Sequence, residues 1–158
     1  TRETPFGDRT VIKMPRAVMV IAFDTEGKVH FLQEYMAPQR AFNNTFAKGA
    51  IDARESPEAA ARRELAEELG LTADRLERLL ELKNQPSHST AETVVFVAYG
   101  CTPHDQPAKG DEVKGSIHSV SMPWHDLFTK RKEIFSCARC LAATGELIAQ
   151  NIHRKSDQ

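Results

Sequence analysis

The chain has 158 residues, 41% hydrophobic and 27% charged, which is typical of one soluble globular domain with a sizeable core. Its 21 basic and 22 acidic side chains argue against broad electrostatic binding to nucleic acid or to an anionic membrane. An odd count of three cysteines argues against a secreted disulfide framework, and the longest apolar run, Ala17 to Phe23, is too short to cross a bilayer. We therefore expect a cytoplasmic protein with a single domain over residues 1–158.

The chain before the first predicted helix is expected to form short strands. Apolar runs predict buried strands over Arg16 to Phe23 and Lys28 to Glu34, with a hairpin turn over residues 24–27 between them. Tyr35 to Asn44 contains a proline and two adjacent asparagines, which predicts a loop. A short strand is predicted over Asn44 to Lys48.

A helix is predicted over Pro57 to Leu69, where strong helix formers predominate. Ser56 is a favourable N-cap, and the proline behind it stands where no backbone N–H is needed. Gly70 provides a C-terminal stop. The two ends of this helix are therefore specified by local sequence.

Three glutamates share one face of this predicted helix. Glu64, Glu67 and Glu68 stand at positions i, i+3 and i+4, so their carboxylates lie close together and repel one another. A divalent cation would relieve that repulsion, and clustered carboxylate oxygens suit Mg²⁺ or Mn²⁺ better than zinc. The ordinary alternative is a solvated acidic surface.

Gly49, Glu55 and Arg63 stand at fixed offsets from these glutamates, which a solvated surface does not explain. Gly49 permits a tight loop and a close approach of the backbone to a metal or a phosphate. Arg63 can hold a neighbouring carboxylate through two parallel hydrogen bonds and leave the other carboxylates for metal. The pattern therefore favours a functional site.

The chain beyond this helix is expected to continue as strands and then helices. Strands are predicted over Leu76 to Lys83, Thr93 to Tyr99 and Ser116 to Ser121. Pro103 to Gly115 is the longest predicted loop. A short helix is predicted to begin at Pro123, and apolar residues recur at helical spacing from Lys132 to about Arg154. These elements predict an α/β fold with a mixed sheet flanked by helices.

Cys137 and Cys140 form a Cys-x-x-Cys pair inside the last predicted helix. No second pair or nearby histidine cluster completes a zinc site. We therefore interpret both as ordinary, partly buried residues.

The stretch from Gly49 to Leu71 resembles a complete Nudix box, the signature of hydrolases that cut a nucleoside diphosphate linked to another moiety. All specified positions of the box are matched, namely Gly49, Glu55, Arg63, Glu64, Leu65, Glu67, Glu68, Gly70 and Leu71. The resemblance implies the Nudix fold, a mixed β-sheet sandwiched between α-helices (α/β/α). Outside the box, residues 46–52 and the region around Pro86 resemble ADP-ribose pyrophosphatases and NudE-type ADP compounds hydrolases.

The resemblance also implies a metal-assisted hydrolysis of a pyrophosphate bond. Mg²⁺, with Mn²⁺ as the alternative, would be held by Glu64, Glu67 and Glu68 close to the backbone at Gly49. Glu64, Glu68 and Arg63 are accordingly candidate catalytic residues. The metal and the residues around it would neutralise charge on the phosphates and position the attacking water.

The general base is expected on a later loop, as the resemblance to ADP-ribose hydrolases implies. Glu112 occupies the matching place, with Asp111 as a neighbouring candidate, although box glutamates serve as the base in some Nudix enzymes. Glu55 is interpreted as a supporting residue or as a metal ligand through water.

Two further residues are candidate substrate contacts. Pro86 lies fifteen residues beyond Leu71 and resembles a marker of ADP-ribose hydrolases, although a proline also ends a strand there whatever the substrate. Arg40 could approach a substrate, although an exposed loop arginine is the ordinary interpretation.

The leading hypothesis is hydrolysis of ADP-ribose to AMP and ribose 5-phosphate. NADH or diadenosine polyphosphates are alternative substrates, and a non-catalytic nucleotide-binding regulator is the alternative of another class. Such regulators usually lose box glutamates, whereas all are present here. The resemblance further implies a homodimer that pairs through N-terminal strands, and we expect those strands to be missing or truncated in this chain.

Overall fold

The fold is built on one mixed β-sheet, described for residues 1–105 and 116–150 of a computed structural model. The strands are β1 (Ala17–Asp24), β2 (Lys28–Met36), β3 (Ala41–Thr45), β4 (Ala47–Ala50), β5 (Leu71–Thr72), β6 (Arg75–Lys83), β7 (Glu92–Pro103) and β8 (Ile117–Pro123). The helices are α1 (Pro57–Leu69), α2 (Trp124–Ile134) and α3 (Ala138–Ala149). None of these helices is long and apolar enough to span a membrane.

Two central strands, β1 and β7, run parallel to each other and carry the core of the sheet. Both are continuous apolar runs because both of their faces are covered, so no solvent-facing alternation is needed. The other edge of β1 pairs with β2 and β4 in antiparallel fashion. β3 and β8 extend the sheet from β2, whereas β5 and β6 extend it from β7.

Helices cover both faces of this sheet. Val18, Val20 and Ala22 of β1 face α1, in a cluster with Leu65. The alternate residues of the same strand face α2 and α3, in a cluster with Leu127 and Leu147. Successive residues of a strand point to opposite faces, so one buried strand supplies both layers. The predicted α/β/α arrangement is confirmed.

The caps of α1 are those that its sequence predicts. The Ser56 hydroxyl accepts a hydrogen bond from the Ala59 backbone N–H at 3.1 Å, and the proline follows in the first turn. Gly70 ends the helix in the left-handed conformation at φ 64°, and its N–H bonds back to Ala66.

The predicted loop over Tyr35 to Asn44 is wrong except for residues 37–40. β2 continues to Met36, and the chain reverses over residues 37–40 and returns as β3. The two asparagines are tolerated in this strand because, among the described strands, it pairs with β2 alone at the end of the sheet, and the Asn44 amide donates to the Ile134 carbonyl at 2.9 Å. Pro38 sits in the turn, where its missing N–H costs nothing.

The C-terminal helices also differ from the prediction. The short predicted helix, α2, extends to Ile134, and α3 begins at Ala138. The expectation of one helical segment from Lys132 onward is therefore wrong. Between them Phe135 takes an extended conformation, which buries its ring against Phe31 and Phe46. We attribute the break between the two helices to this buried contact. Sequence spacing does not reveal it, because the contact joins residues far apart in the chain.

Candidate active site

The helix α1 packs closely against β4 and buries the carboxylate of Glu64 against this strand. Gly49 of β4 lies so near Glu64 that a Cβ at this position would overlap the Glu64 carboxylate. Glu64 itself is only 8% exposed. The glycine is therefore required by this approach of a side chain to the strand backbone.

Arg63 is the centre of the hydrogen-bond network beside Glu64. Its Nε and Nη2 donate to the two carboxylate oxygens of Glu55, at 3.0 and 2.9 Å. Its Nη1 donates to Glu64 at 2.6 Å and to Glu67 at 3.3 Å, and Nη2 also donates to the Ala50 carbonyl at 2.9 Å. The planar guanidinium thus fixes three carboxylates and the end of β4 at once.

Glu55 is held on both sides in the loop that precedes α1. Besides the two hydrogen bonds from Arg63, its carboxylate accepts a hydrogen bond from the backbone N–H of Asp52 at 3.0 Å. These three hydrogen bonds, those from Arg63 first, hold the pKa of Glu55 below its usual value. A carboxylate tied in this way is suited to shaping the loop before the helix.

Glu68 makes a contact that sequence reasoning missed. Its carboxylate accepts the backbone N–H of Lys48 at 2.7 Å, and the Lys48 ammonium donates to Glu34 on β2 at 2.7 Å. No spacing rule links Glu34 to α1, because the three residues come together only through pairing of strands with the helix. Lys48 beside Gly49 in sequence was the available signal.

Burial controls the charge of the two innermost glutamates. Desolvation raises the pKa of Glu64, although the hydrogen bond and the positive charge of Arg63 oppose the change. Desolvation also raises the pKa of Glu68 to about 7, against the effect of the Lys48 N–H, while nearby Glu64 and Glu34 contribute to the rise. Two such carboxylates, close together and poorly solvated, form a site that a bound cation would stabilise.

The donor set fits a hard divalent cation. It consists of carboxylate oxygens beside a glycine backbone, and Ca²⁺, Mg²⁺ and Mn²⁺ prefer such ligands. Within residues 1–105 and 116–150, no group of three or more His, Cys, Asp or Glu side chains converges to hold a metal ion. Glu64 and Glu67 are turned toward Arg63, and Glu68 is turned toward the Lys48 N–H.

The remaining predicted site residues lie elsewhere. Arg40 is exposed at the turn between β2 and β3, with φ 51°, and Pro86 is exposed in the loop after β6. Neither belongs to the network around Arg63. Glu112 and its neighbour Asp111 lie outside the described residues.

Comparison with known proteins shows what the chain is similar to. Residues 13–141 match the family described as the NUDIX domain. The chain is 32% identical to the ADP-ribose pyrophosphatase of Bacillus subtilis (strain 168) over 90 residues, which are 57% of this chain and 49% of that protein. It is 33% identical to the ADP compounds hydrolase NudE of Escherichia coli (strain K12) over 96 residues, which are 61% and 50% of the two chains.

The chain is also similar to a third curated protein and to a solved structure. The methanol dehydrogenase activator of Bacillus methanolicus is 29% identical over 104 residues, 66% of this chain and 56% of that protein. The crystal structure of an ADP compounds hydrolase superimposes with a TM-score of 0.76 at 26% identity, covering 85% of this chain and 71% of the other. The chain spans about half the length of the curated relatives that it matches.

Proposed function

Because the chain belongs to the NUDIX family, we propose that it hydrolyses the pyrophosphate bond of ADP-linked metabolites, with ADP-ribose cleaved to AMP and ribose 5-phosphate as the leading reaction. Two similar proteins are named ADP-ribose pyrophosphatase and ADP compounds hydrolase, which supports this class of substrate. The observation that carries the proposal is the pair of desolvated carboxylates, Glu64 and Glu68, beside the backbone of β4.

In this proposal Glu64, Glu67 and Glu68 hold Mg²⁺, with Mn²⁺ as the alternative, next to Gly49. A divalent ion bound there supplies charge neutralisation at the phosphates and a more acidic bound water. The low exposure of Glu64 excludes bulk water from one side of the site, which strengthens its electrostatic interactions.

Arg63 and Lys48 position the carboxylates rather than react. The guanidinium orients Glu55, Glu64 and Glu67 together, so that little reorganisation is needed when substrate binds. The Lys48 N–H fixes one oxygen of Glu68. We assign to Glu112 the removal of a proton from the attacking water, which forms a new P–O bond as the bridging P–O bond breaks.

The proposal is tested by product analysis with a matched pair of variants. Purified protein is incubated with ADP-ribose with and without Mg²⁺, and AMP and ribose 5-phosphate are quantified. Glu68→Gln should lower kcat/KM on the order of 10²–10³-fold, the usual effect of removing one group that stabilises a transition state. Glu58→Gln, an exposed change on the same helix, should retain full activity. Equal rates for both variants would refute the assignment of Glu68.

The alternative substrates and the alternative class are separated in the same assay. NADH and diadenosine triphosphate are compared with ADP-ribose, and the highest kcat/KM identifies the preferred compound. If calorimetry shows that these nucleotides bind while none is cleaved with Mg²⁺ or Mn²⁺, the protein is a nucleotide-binding regulator and the hydrolase proposal is wrong.

We also propose that two copies of the chain pair. Phe6, Ile12 and Met14, all in the N-terminal segment, are 85%, 51% and 50% exposed, and large apolar side chains at such exposure favour burial against another molecule. Light scattering after size exclusion should give the mass of a dimer. A monomer mass across the accessible concentration range would contradict this.

A cytoplasmic location is proposed from the thiols. All three cysteines are free, which is the state that a reducing compartment maintains. Cell fractionation with an antibody to the chain tests the location directly.

A further inference from the structure

Two thiols lie together at the start of α3, on the face of the sheet opposite α1. Cys137 is the N-cap residue of α3 and is partly exposed, whereas Cys140 lies one turn later and is fully buried. The two residues stand at positions i and i+3, so their thiols lie on the same side at the start of the helix, and the Cys140 thiol also contacts the Thr45 hydroxyl at 3.8 Å. Cys137 is partly buried as expected, but its predicted place inside the helix is wrong, because it precedes the first helical residue.

The two thiols lie in different environments, and their acidities differ as a result. The hydrogen bond from Cys140 lowers the pKa of Cys137, and the backbone N–H groups of Cys140 and Arg139 and the Arg139 charge add to this effect against desolvation. The same hydrogen bond and burial raise the pKa of Cys140. Its exposure and its place at the helix N-terminus favour Cys137 as the nucleophile, with the buried Cys140 as its partner.

A cleft of about 550 Å³ opens beside Cys137. Its lining includes Cys137, Arg139 and Lys83, with the polar side chains of Asn84 and Gln85 at the end of β6. The described lining therefore carries two positive charges and two amides around one accessible sulfur. This composition suits a small molecule with carboxylate groups.

We propose that Cys137 and Cys140 form a redox-active dithiol that exchanges with low-molecular-weight disulfides bearing carboxylates, such as glutathione disulfide. The Cys137 thiolate attacks one sulfur of the small disulfide, forms a mixed disulfide and releases one small thiolate. Cys140 then loses its proton and attacks the Cys137 sulfur. This step forms the intramolecular Cys137–Cys140 disulfide and releases the second small thiolate, so the protein dithiol is oxidised and the small disulfide is reduced to two thiols.

The third cysteine, Cys101, is an unreactive thiol in the same molecule. Cys101 lies in the cluster under α1 and is 2% exposed. Burial raises its pKa to about 12. A buried, protonated thiol of this kind is inert toward disulfides, so Cys101 is an internal control.

The proposal is tested by mass spectrometry of the intact chain after incubation with glutathione disulfide. The wild type should lose two hydrogens, and peptide mapping should locate the bond at Cys137–Cys140. Cys140→Ser and Cys140→Ala should stop at one glutathione adduct on Cys137. Cys101→Ser should behave like the wild type, and Cys137→Ser should form neither product. Circular dichroism checks that each variant is folded.

Two results would overturn the proposal. One is a wild-type chain that stays fully reduced in excess glutathione disulfide. The other is a Cys137→Ser variant, folded by circular dichroism, that reacts as fast as the wild type.

The role of the charged cleft is tested with a disulfide of opposite charge. Glutathione disulfide should react at least about tenfold faster than cystamine, because positive charges near the thiolate attract the carboxylates. Arg139→Gln should reduce this preference, whereas Arg131→Gln on α2 should leave it unchanged. Equal rates with both disulfides in the wild type would show that the cleft does not select carboxylates.

Discussion

The two faces of the sheet share the same strands but are packed differently. The cluster under α2 and α3 contains six aromatic side chains, Phe23, Phe31, Phe46, Tyr99, Trp124 and Phe135. The cluster under α1 contains one, Phe96, and the helix contributes Ala60, Ala61 and Leu65. Small residues let α1 approach the sheet until glutamates touch strand backbone, whereas bulky rings fill the space under the other helices. One face is therefore built to place charges, and the other to bury apolar area.

The largest expected effect lies on the aromatic face. Phe135 is 1% exposed and its ring lies 5.6 and 4.7 Å from the centres of Phe31 and Phe46. Phe135→Ala should lower the free energy of unfolding by about 3–5 kcal/mol, because it removes buried area and leaves a cavity. Urea unfolding measures this, with Phe42→Ala, a phenylalanine that is 46% exposed, as control. Equal unfolding midpoints for the two variants would contradict the assignment of stability to this face.

A pair of glycines compares the two faces directly. Gly49→Ala should lower kcat/KM toward ADP-ribose about 10²-fold, about 2.7 kcal/mol, because the new Cβ displaces the Glu64 carboxylate. The clash is with a side-chain end, so the fold should survive. Gly145→Ala in α3 meets open space and should retain activity while stabilising the helix by about 0.5–1 kcal/mol. An active Gly49→Ala enzyme would show that the placement of Glu64 is not needed.

The next largest effect on activity is expected for Arg63, with Arg131 as its matched control. Arg63→Lys should lower kcat/KM about tenfold, about 1.4 kcal/mol, because an ammonium cannot bond both oxygens of Glu55 and reach Glu64 as well. Arg131→Lys on α2, where the guanidinium bonds the Phe128 carbonyl, should leave the rate unchanged. The kinetic assay distinguishes them, and equal rates for Arg63→Lys and wild type would remove Arg63 from the site.

The smallest effect is a pH dependence of stability on the α1 face. The pKa of Glu68 is raised by burial to about 7 in the folded chain from about 4.5, so the folded state binds the proton more tightly. Stability of the metal-free protein should therefore fall as pH rises through this window. Glu68→Gln should raise Tm by a few degrees at pH 8 and by less at pH 4, as measured by calorimetry with a chelator. A Tm difference independent of pH would contradict the raised pKa.

The elements with strong local signals were predicted well from sequence. The buried strands β1 and β7 and the capped helix α1 agree with expectation to within a few residues. β3 was missed because asparagines disfavour strands, and what holds them there is pairing with β2 together with side-chain bonds to the distant residues Ile134 and Ser136. The break between α2 and α3 was missed because helical spacing of apolar residues continues across Phe135.

The candidate site was predicted only in part. The shared face of the glutamates follows from helix geometry, and so does the reach of Arg63 to Glu67. The bond from the Lys48 N–H to Glu68 and the contact of Gly49 with Glu64 depend on how α1 docks against β4. Local sequence contains no information on that distance.

The sequence by itself determined the helix, its caps and the set of carboxylates, since these depend on residues within one or two turns of each other. The tertiary structure alone decided which carboxylates are buried, which side chains neutralise them, and that Cys137 lies beside a cleft lined by Lys83 and Arg139. The physical reason is that desolvation and charge pairing depend on distances between residues that are remote in the chain. Composition and spacing do not define those distances until the strands and helices have packed.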